Sequence, residues 1–207
     1  MLHLIGPAKG IQAVACSGGP DSMAALSYLS RGGMSKIKAV FFHHQTESSE
    51  KAKEFLLTEG KQWYSELIIG YLSGNRTKTQ SPEEFWREER YKFLDSLNIR
   101  IATGHNLNDV AETYLLGCIA GTPKLIPYAR NQIVRPLIIN TKAQLVNWCL
   151  VKKVAYVIDA TNHDTKYRRN RIRVKVLPEI MDMTNGGFMS MIRRKYIKKF
   201  KMEMDNE

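Results

Sequence analysis

Apolar and polar positions follow two periods along the first two-thirds of the chain. The runs "IQAVAC", "IKAVFFH", "ELIIGYL" and "IRIATG" are short, nearly continuous and rich in branched or aromatic residues, as expected of strands buried on both faces. Between them apolar residues recur every three or four positions. This predicts helices from Asp21 to about Ser30, Ser48 to about Glu59, Ser81 to Leu97 and Asn108 to Ile119. Regular alternation of strand and helix predicts an α/β fold, a parallel sheet of about five strands with helices on both faces. Ser81 followed by Pro82, Glu83 and Glu84 is a helix start: a capping hydroxyl, a proline at the first position and acids at the positive end of the dipole. The polar stretch "LSGNRTKTQ" before it is expected to be a mobile loop over the sheet edge. After Thr141 the pattern predicts a helix to about Lys152, an extended piece "AYVIDA" and a basic helix from near Arg168.

Composition adds limits to this picture. With 207 residues, 43% of them hydrophobic, the chain can bury one good core, or one core and a small appendage. No apolar run reaches membrane-spanning length, and "MLHLIGPAKG" lacks the basic-then-apolar order of a leader. A soluble, cytoplasmic protein without a membrane partner is expected. Cys16, Cys118 and Cys149 form no CxxC pair and sit in apolar contexts, so they are expected to be buried free thiols. The formal net charge of +11 is concentrated: between Lys166 and Lys201 there are twelve Lys or Arg against only Glu179 and Asp182. A solvated basic helix would account for that, and so would a nucleic-acid partner.

Candidate chemistry clusters where the predicted strands end. "SGGPDS" joins a buried strand to a helix. Its glycines let backbone approach a ligand, and the helix start offers amides to an anion. It is neither a Walker motif nor GxGxxG. In an open parallel sheet, "SGGPDS", "FHHQTE" and "TGHNLND" all fall at the carboxyl ends of strands and converge on one site. Arg87 and Arg90, three apart, share a helix face suited to a phosphate or RNA clamp, or to salt bridges with Glu84, Glu88 or Glu89. His105, Asp109 and Glu112 share another face. They either hold Mg²⁺, or bind an amine and take its proton, or form an ordinary polar stripe.

"SGGPDS" matches the PP-loop of the ATP pyrophosphatases. "FWREERYKFL", "ATGHNLNDVAET", "IVRPLIINTKAQL" and "DATNHDTKYRRNRIRVKVLP" resemble, in order, the motif blocks of the tRNA(Ile)-lysidine synthetase family. The resemblance runs from about Val14 to Pro178 and implies an adenine nucleotide alpha hydrolase-like fold. It implies a ligase that uses ATP and Mg²⁺ to adenylate the wobble cytidine of an isoleucine tRNA, then joins free lysine to it, releasing AMP and pyrophosphate. The resemblance implies ATP contacts at Ser17, Gly18, Gly19, Asp21, Ser22, Gly104 and His105. Catalytic roles fall to Asp21, Arg87, His105, Asp109 and Glu112, with Mg²⁺ at Asp21 and Asp109. tRNA contacts fall to Arg90, Asn162, Tyr167, Arg169, Asn170 and Arg173.

The expected organisation is a catalytic domain over residues 1–140, closing helices with the basic signature over 141–180, and a basic tail over 181–207. Longer family members carry further domains, so this reads as a short form. A homo-oligomer or a partner subunit would supply what such a form lacks. Asn108, Val110 and Ala120 stand where the pattern has Asp, Gln and Arg, changes that fall on the amine side of the site. They leave open another tRNA-modifying PP-loop enzyme with a different nucleophile, or a non-catalytic RNA-binding derivative.

Overall fold

The computed structural model describes residues 1–32, 36–74, 76–77, 80–158 and 168–205, with Glu83 described by its backbone alone. The elements alternate as the periodicity predicts. They are β1 (Ala13–Ala15), α1 (Pro20–Arg31), β2 (Lys38–His43), α2 (Glu47–Leu57), β3 (Leu67–Tyr71), α3 (Pro82–Ser96), β4 (Ile101–Thr103) and α4 (Leu107–Ile119). A 3-10 turn, Glu59–Trp63, follows α2. Next come β5 (Ala129–Arg130), β6 (Ile133–Val134), α5 (Lys142–Lys152), α6 (Arg168–Arg171), α7 (Leu177–Met183) and α8 (Gly187–Met204).

The sheet order is β3-β2-β1-β4-β6-β5. All neighbours are parallel except β5 and β6, which form an antiparallel edge hairpin. The sheet is therefore mixed, which the sequence did not predict. Two-residue strands are too short to show a period, and the hairpin turns on Asn131 at φ 52, a conformation asparagine tolerates. Chain order reverses between β1 and β4, which pair Ala15 with Thr103 in register, so the crevice for a ligand opens above these two strands.

The helix starts follow local chemistry. The Ser81 hydroxyl accepts from Glu84 N–H, and Asn106 and Thr141 each build a capping box, with Asp109 and Gln144 returning the bond. Met23, Leu26, Leu107, Leu137, Leu145 and Leu177 are among the fully or nearly fully buried side chains that close the core over one face of the sheet. Tyr91, Leu94, Ile101 and Ile133 close a smaller cluster on the other.

Two regions differ from expectation. The piece expected as "AYVIDA" is irregular over 155–158, and its last two residues lie outside the described residues. The basic helix begins at Arg168 as expected, then widens into a π turn, Ile172–Val176, before Pro178 at the start of α7. A proline in a continuous helix has no N–H to donate and clashes with the carbonyl four residues back, and the widened turn accommodates both. The basic tail is helical over most of its described residues, and one side of it is packed. Met189, Ile192 and Tyr196 of α8 are buried in the main core, and Arg193 Nε donates to the Ile139 carbonyl at 3.0 Å. The apolar stripe of α8 faces inward and most of its lysines face out.

Candidate active site

The turn after β1 is held by its own side chains. Ser22 Oγ accepts from Ser17 N–H at 3.1 Å and donates to the Gly19 carbonyl at 3.0 Å. No side chain caps α1, whose N-cap is Gly19, so its first turn is open to an anion. Gly18 has φ +77, and a Cβ there would meet Val157 Cγ2 at 3.0 Å. Val157 N–H also donates to the Gly18 carbonyl, so the segment after α5 straps the loop. Gly104 answers to a different constraint: a Cβ would lie 2.7 Å from the Asp21 carbonyl group. The two strand-to-helix turns touch through backbone, which is why the β4 turn carries glycine.

Asp21 is the group with an unmet need. Oδ1 is buried with no hydrogen-bond partner among the described residues, and Oδ2 lies 3.7 Å from Lys142 Nζ. Burial pushes its carboxyl up to about 6, Asp109 adds to the rise and Lys142 opposes it. A hard cation bridging this oxygen to phosphate would satisfy the atom, so Asp21 fits Mg²⁺. Asp109 fits it less well. Its Oδ2 accepts from Asn106 N–H at 3.0 Å and its Oδ1 faces Arg169 at 3.4 Å and Arg173 at 3.6 Å. No group of three or more metal-ligating side chains occurs among the described residues.

His105 stands at the end of β4, with Nδ1 2.7 Å from Thr103 Oγ1. Burial and the neighbouring Arg135, Arg90, Arg87 and Arg169 hold its imidazole well below the ordinary range, so it is neutral at pH 7. The arginines are organised by Tyr91. Arg130, Arg87 and Arg90 place their guanidinium carbons 4.5, 5.0 and 5.8 Å from its ring centre, and Arg135 Nη2 donates to its hydroxyl at 3.2 Å. Among the described residues none of these four arginines has a carboxylate within 4.0 Å, and buried Arg135 leaves Nε unpartnered. Cations grouped without counter-ions make a wall for an anionic ligand.

Glu112 is 1% exposed, and two arginines claim it. Arg173 Nε donates to Oε1 at 2.7 Å and Nη2 to Oε2 at 2.9 Å, while Arg169 Nε donates to Oε2 at 3.0 Å. The basic segment thus turns Arg169 and Arg173 inward, onto the face of α4 where Asp109 and Glu112 project. In this arrangement the carboxylates expected to meet an amine and the arginines expected to meet tRNA engage each other. Asn170 lies half-buried in α6. Asn162 and Tyr167 lie outside the described residues.

Sequence reasoning missed three contributors. Lys142 was hidden because nothing in its helix start indicates a reach to Asp21. Arg135 lay in a matched block, yet only the fold shows it buried under Tyr91. Asn108 accepts from Lys142 N–H at 2.9 Å, tying the starts of α4 and α5. A carboxylate at Asn108 could accept the same bond, so the amide costs this tie nothing.

A model of the PP-loop domain matches residues 4–180. The chain belongs to the PP-loop domain family. Among curated proteins, this PP-loop chain is similar to the tRNA(Ile)-lysidine synthase of Thermotoga sp. (strain RQ2), with 35% identity over 82% of this chain and 45% of the relative. The enzyme of the same name from Thermosipho africanus (strain TCF52B) is 35% identical over 80% of this chain and 42% of its own length. That of Clostridium perfringens (strain 13 / Type A) is 30% identical over 87% and 42%. The chain spans less than half the length of these relatives.

Proposed function

We propose that this PP-loop protein is an ATP-dependent tRNA-modifying ligase of the lysidine-forming kind. The observation that carries the reading is the buried Oδ1 of Asp21, unpartnered among the described residues, at an uncapped helix start; the β4 turn packed against it carries His105, which feels arginines that have no carboxylate partner among those residues. In the first step O2 of an unpaired cytosine attacks the α-phosphorus of ATP, and the bond to the β,γ-pyrophosphate breaks. In the second the amine of free lysine attacks C2, AMP leaves with the bonding pair, and the amine loses a proton.

The turn Ser17–Ser22 and the start of α1 would hold phosphate oxygens. Mg²⁺ held by Asp21 would offset charge on them. Lys142, freed from Asp21, would reach the same phosphates. Arg87 and Arg135 would stabilise charge that grows as pyrophosphate leaves, and they need no reorganisation to do so. Neutral His105 would contribute a hydrogen bond and not a charge. We place this chemistry in residues 1–140, with 141–180 closing the site and the outer face of 181–207 free for RNA.

One observation favours a second reading. Glu112, the group expected to meet lysine, is already saturated by Arg169 and Arg173. Adenylation with a different nucleophile would not need it. Labelled ATP incubated with the protein and isoleucine tRNA should release pyrophosphate only when tRNA is present, and AMP only when lysine is added. AMP release that is indifferent to lysine, or AMP from ATP without tRNA, would refute the lysidine-forming reading.

A further inference from the structure

The helix α3 carries a stripe that the ATP chemistry does not use. Trp86, Arg90 and Phe93, at spacings of four and three, lie along one side of it. Phe93 packs on Phe42 with ring centres 5.6 Å apart, and Trp86 lies 5.5 Å from His44, tilted by 43°. Phe42 in turn meets His44 edge-on at 5.0 Å. The row therefore continues from the buried helix-sheet contact into an aromatic shelf at the end of β2. Its outermost member, Trp86, is 37% exposed.

His44 supports the shelf as a neutral plate. Burial, then Arg90 and His43, bring its imidazole down to about 4. The shelf stands beside the phosphate loop and not in it. The shelf is at the end of β2, whereas the phosphate loop follows β1, the neighbouring strand.

We propose that Trp86, backed by His44, is a stacking platform for an unpaired nucleobase of the RNA substrate, with Arg90 on the neighbouring sugar-phosphate backbone. The inference rests on the RNA-modifying reading above. Charge favours an RNA occupant. The guanidiniums on this helix have no carboxylate partner among the described residues, and an exposed aromatic face beside such cations is the arrangement by which single-stranded nucleic acid is held. Tryptophan gives stacking area without demanding a particular base. Selection of cytosine would fall to groups deeper in the site.

The test uses the full chain and two probes: a short RNA hairpin with an unpaired cytidine in its loop, and the fully paired duplex of the same stem. Trp86→Ala should weaken hairpin binding by about five- to a hundredfold and leave duplex binding, ATP binding and thermal unfolding unchanged. Trp86→Phe should retain most of the affinity, because the π face survives. The salt slope of hairpin binding should be the same in Trp86→Ala as in the unmodified protein, whereas Arg90→Gln should flatten it. Hairpin binding that does not depend on Trp86 overturns the platform alone. A selective loss of ATP binding in Trp86→Ala overturns it in favour of an adenine shelf. Failure of the unmodified protein to bind the hairpin at all overturns the RNA reading beneath it.

Discussion

Asp21 shows how one residue carries function against stability. Its carboxyl is raised to about 6 chiefly by burial, so the folded chain holds a proton that the unfolded chain releases near pH 4. Stability is therefore lost as pH rises from about 4 through about 6, by at most about 3 kcal/mol at pH 7. His44 and His105 act in the opposite sense. Both are depressed, so their contribution is present above about 6.5 and is lost as pH falls. Asp21→Asn should raise the unfolding temperature at pH 7, leave it unchanged near pH 4, and abolish adenylation. Its stability profile should then fall more steeply with acid than that of the unmodified protein. A variant that is less stable at pH 7 would show that Asp21 has an unrecognised partner.

Glu112 makes the contrary case, a carboxylate that the fold needs. Its removal leaves two guanidiniums to share Asp109 Oδ1, at 3.4 and 3.6 Å, in place of their shorter bonds to Glu112. Glu112→Gln should cost roughly 2–4 kcal/mol in denaturant unfolding, toward the low end for a broken buried pair because Arg169 and Arg173 are 25% and 30% exposed. Unchanged stability together with lost transfer to tRNA would return Glu112 to the amine.

At the scale of elements, the site depends on how closely two turns approach. Gly104 meets the backbone of α1 so tightly that Gly104→Ala must part β4 from β1 or shift the loop. The expected result is about 1–3 kcal/mol of destabilisation, as for other overpacked sites, together with weakened ATP binding. Calorimetry and ATP titration on the same sample would check it, and normal ATP affinity would show that the loop tolerates the shift.

The elements also show what a sequence conveys. β1 to β4 were legible because strands buried on both faces leave continuous apolar runs, and α1 to α5 because each carries a helical stripe and most carry a capping residue. The hairpin β5–β6 was not, being two residues a side. The π turn was not, because Pro178 alone marks it and a proline there equally well begins a helix. The contacts of Glu112 with Arg169 and Arg173 join residues 57 and 61 positions apart, and no local pattern encodes that pairing. Phosphate-facing backbone is the legible part of a site, since glycine and proline mark it. Which side chains neutralise one another depends on tertiary approach.

Across the whole molecule, the basic charge divides into two populations. Arg169, Arg173 and Arg193 are turned inward and hold the C-terminal segments to α4 and to the chain after β6. Arg194, Lys195 and Lys198 are exposed on α8, with the Lys195 ammonium over the Tyr114 ring at 5.5 Å. Replacing these three by glutamine should weaken tRNA binding and lower its salt slope by about one unit or less per lost contact, without changing ATP affinity. An unchanged slope would place the RNA elsewhere. By the proposal above, this PP-loop chain both activates an RNA base and transfers an amine to it. The most direct test is mass analysis of nucleosides from isoleucine tRNA incubated with the protein, ATP and lysine. Cytidine should be converted to lysidine by the unmodified protein and left unchanged by folded Asp21→Ala. Cytidine left unmodified by the unmodified protein, folded and bound to that tRNA, would contradict the proposal.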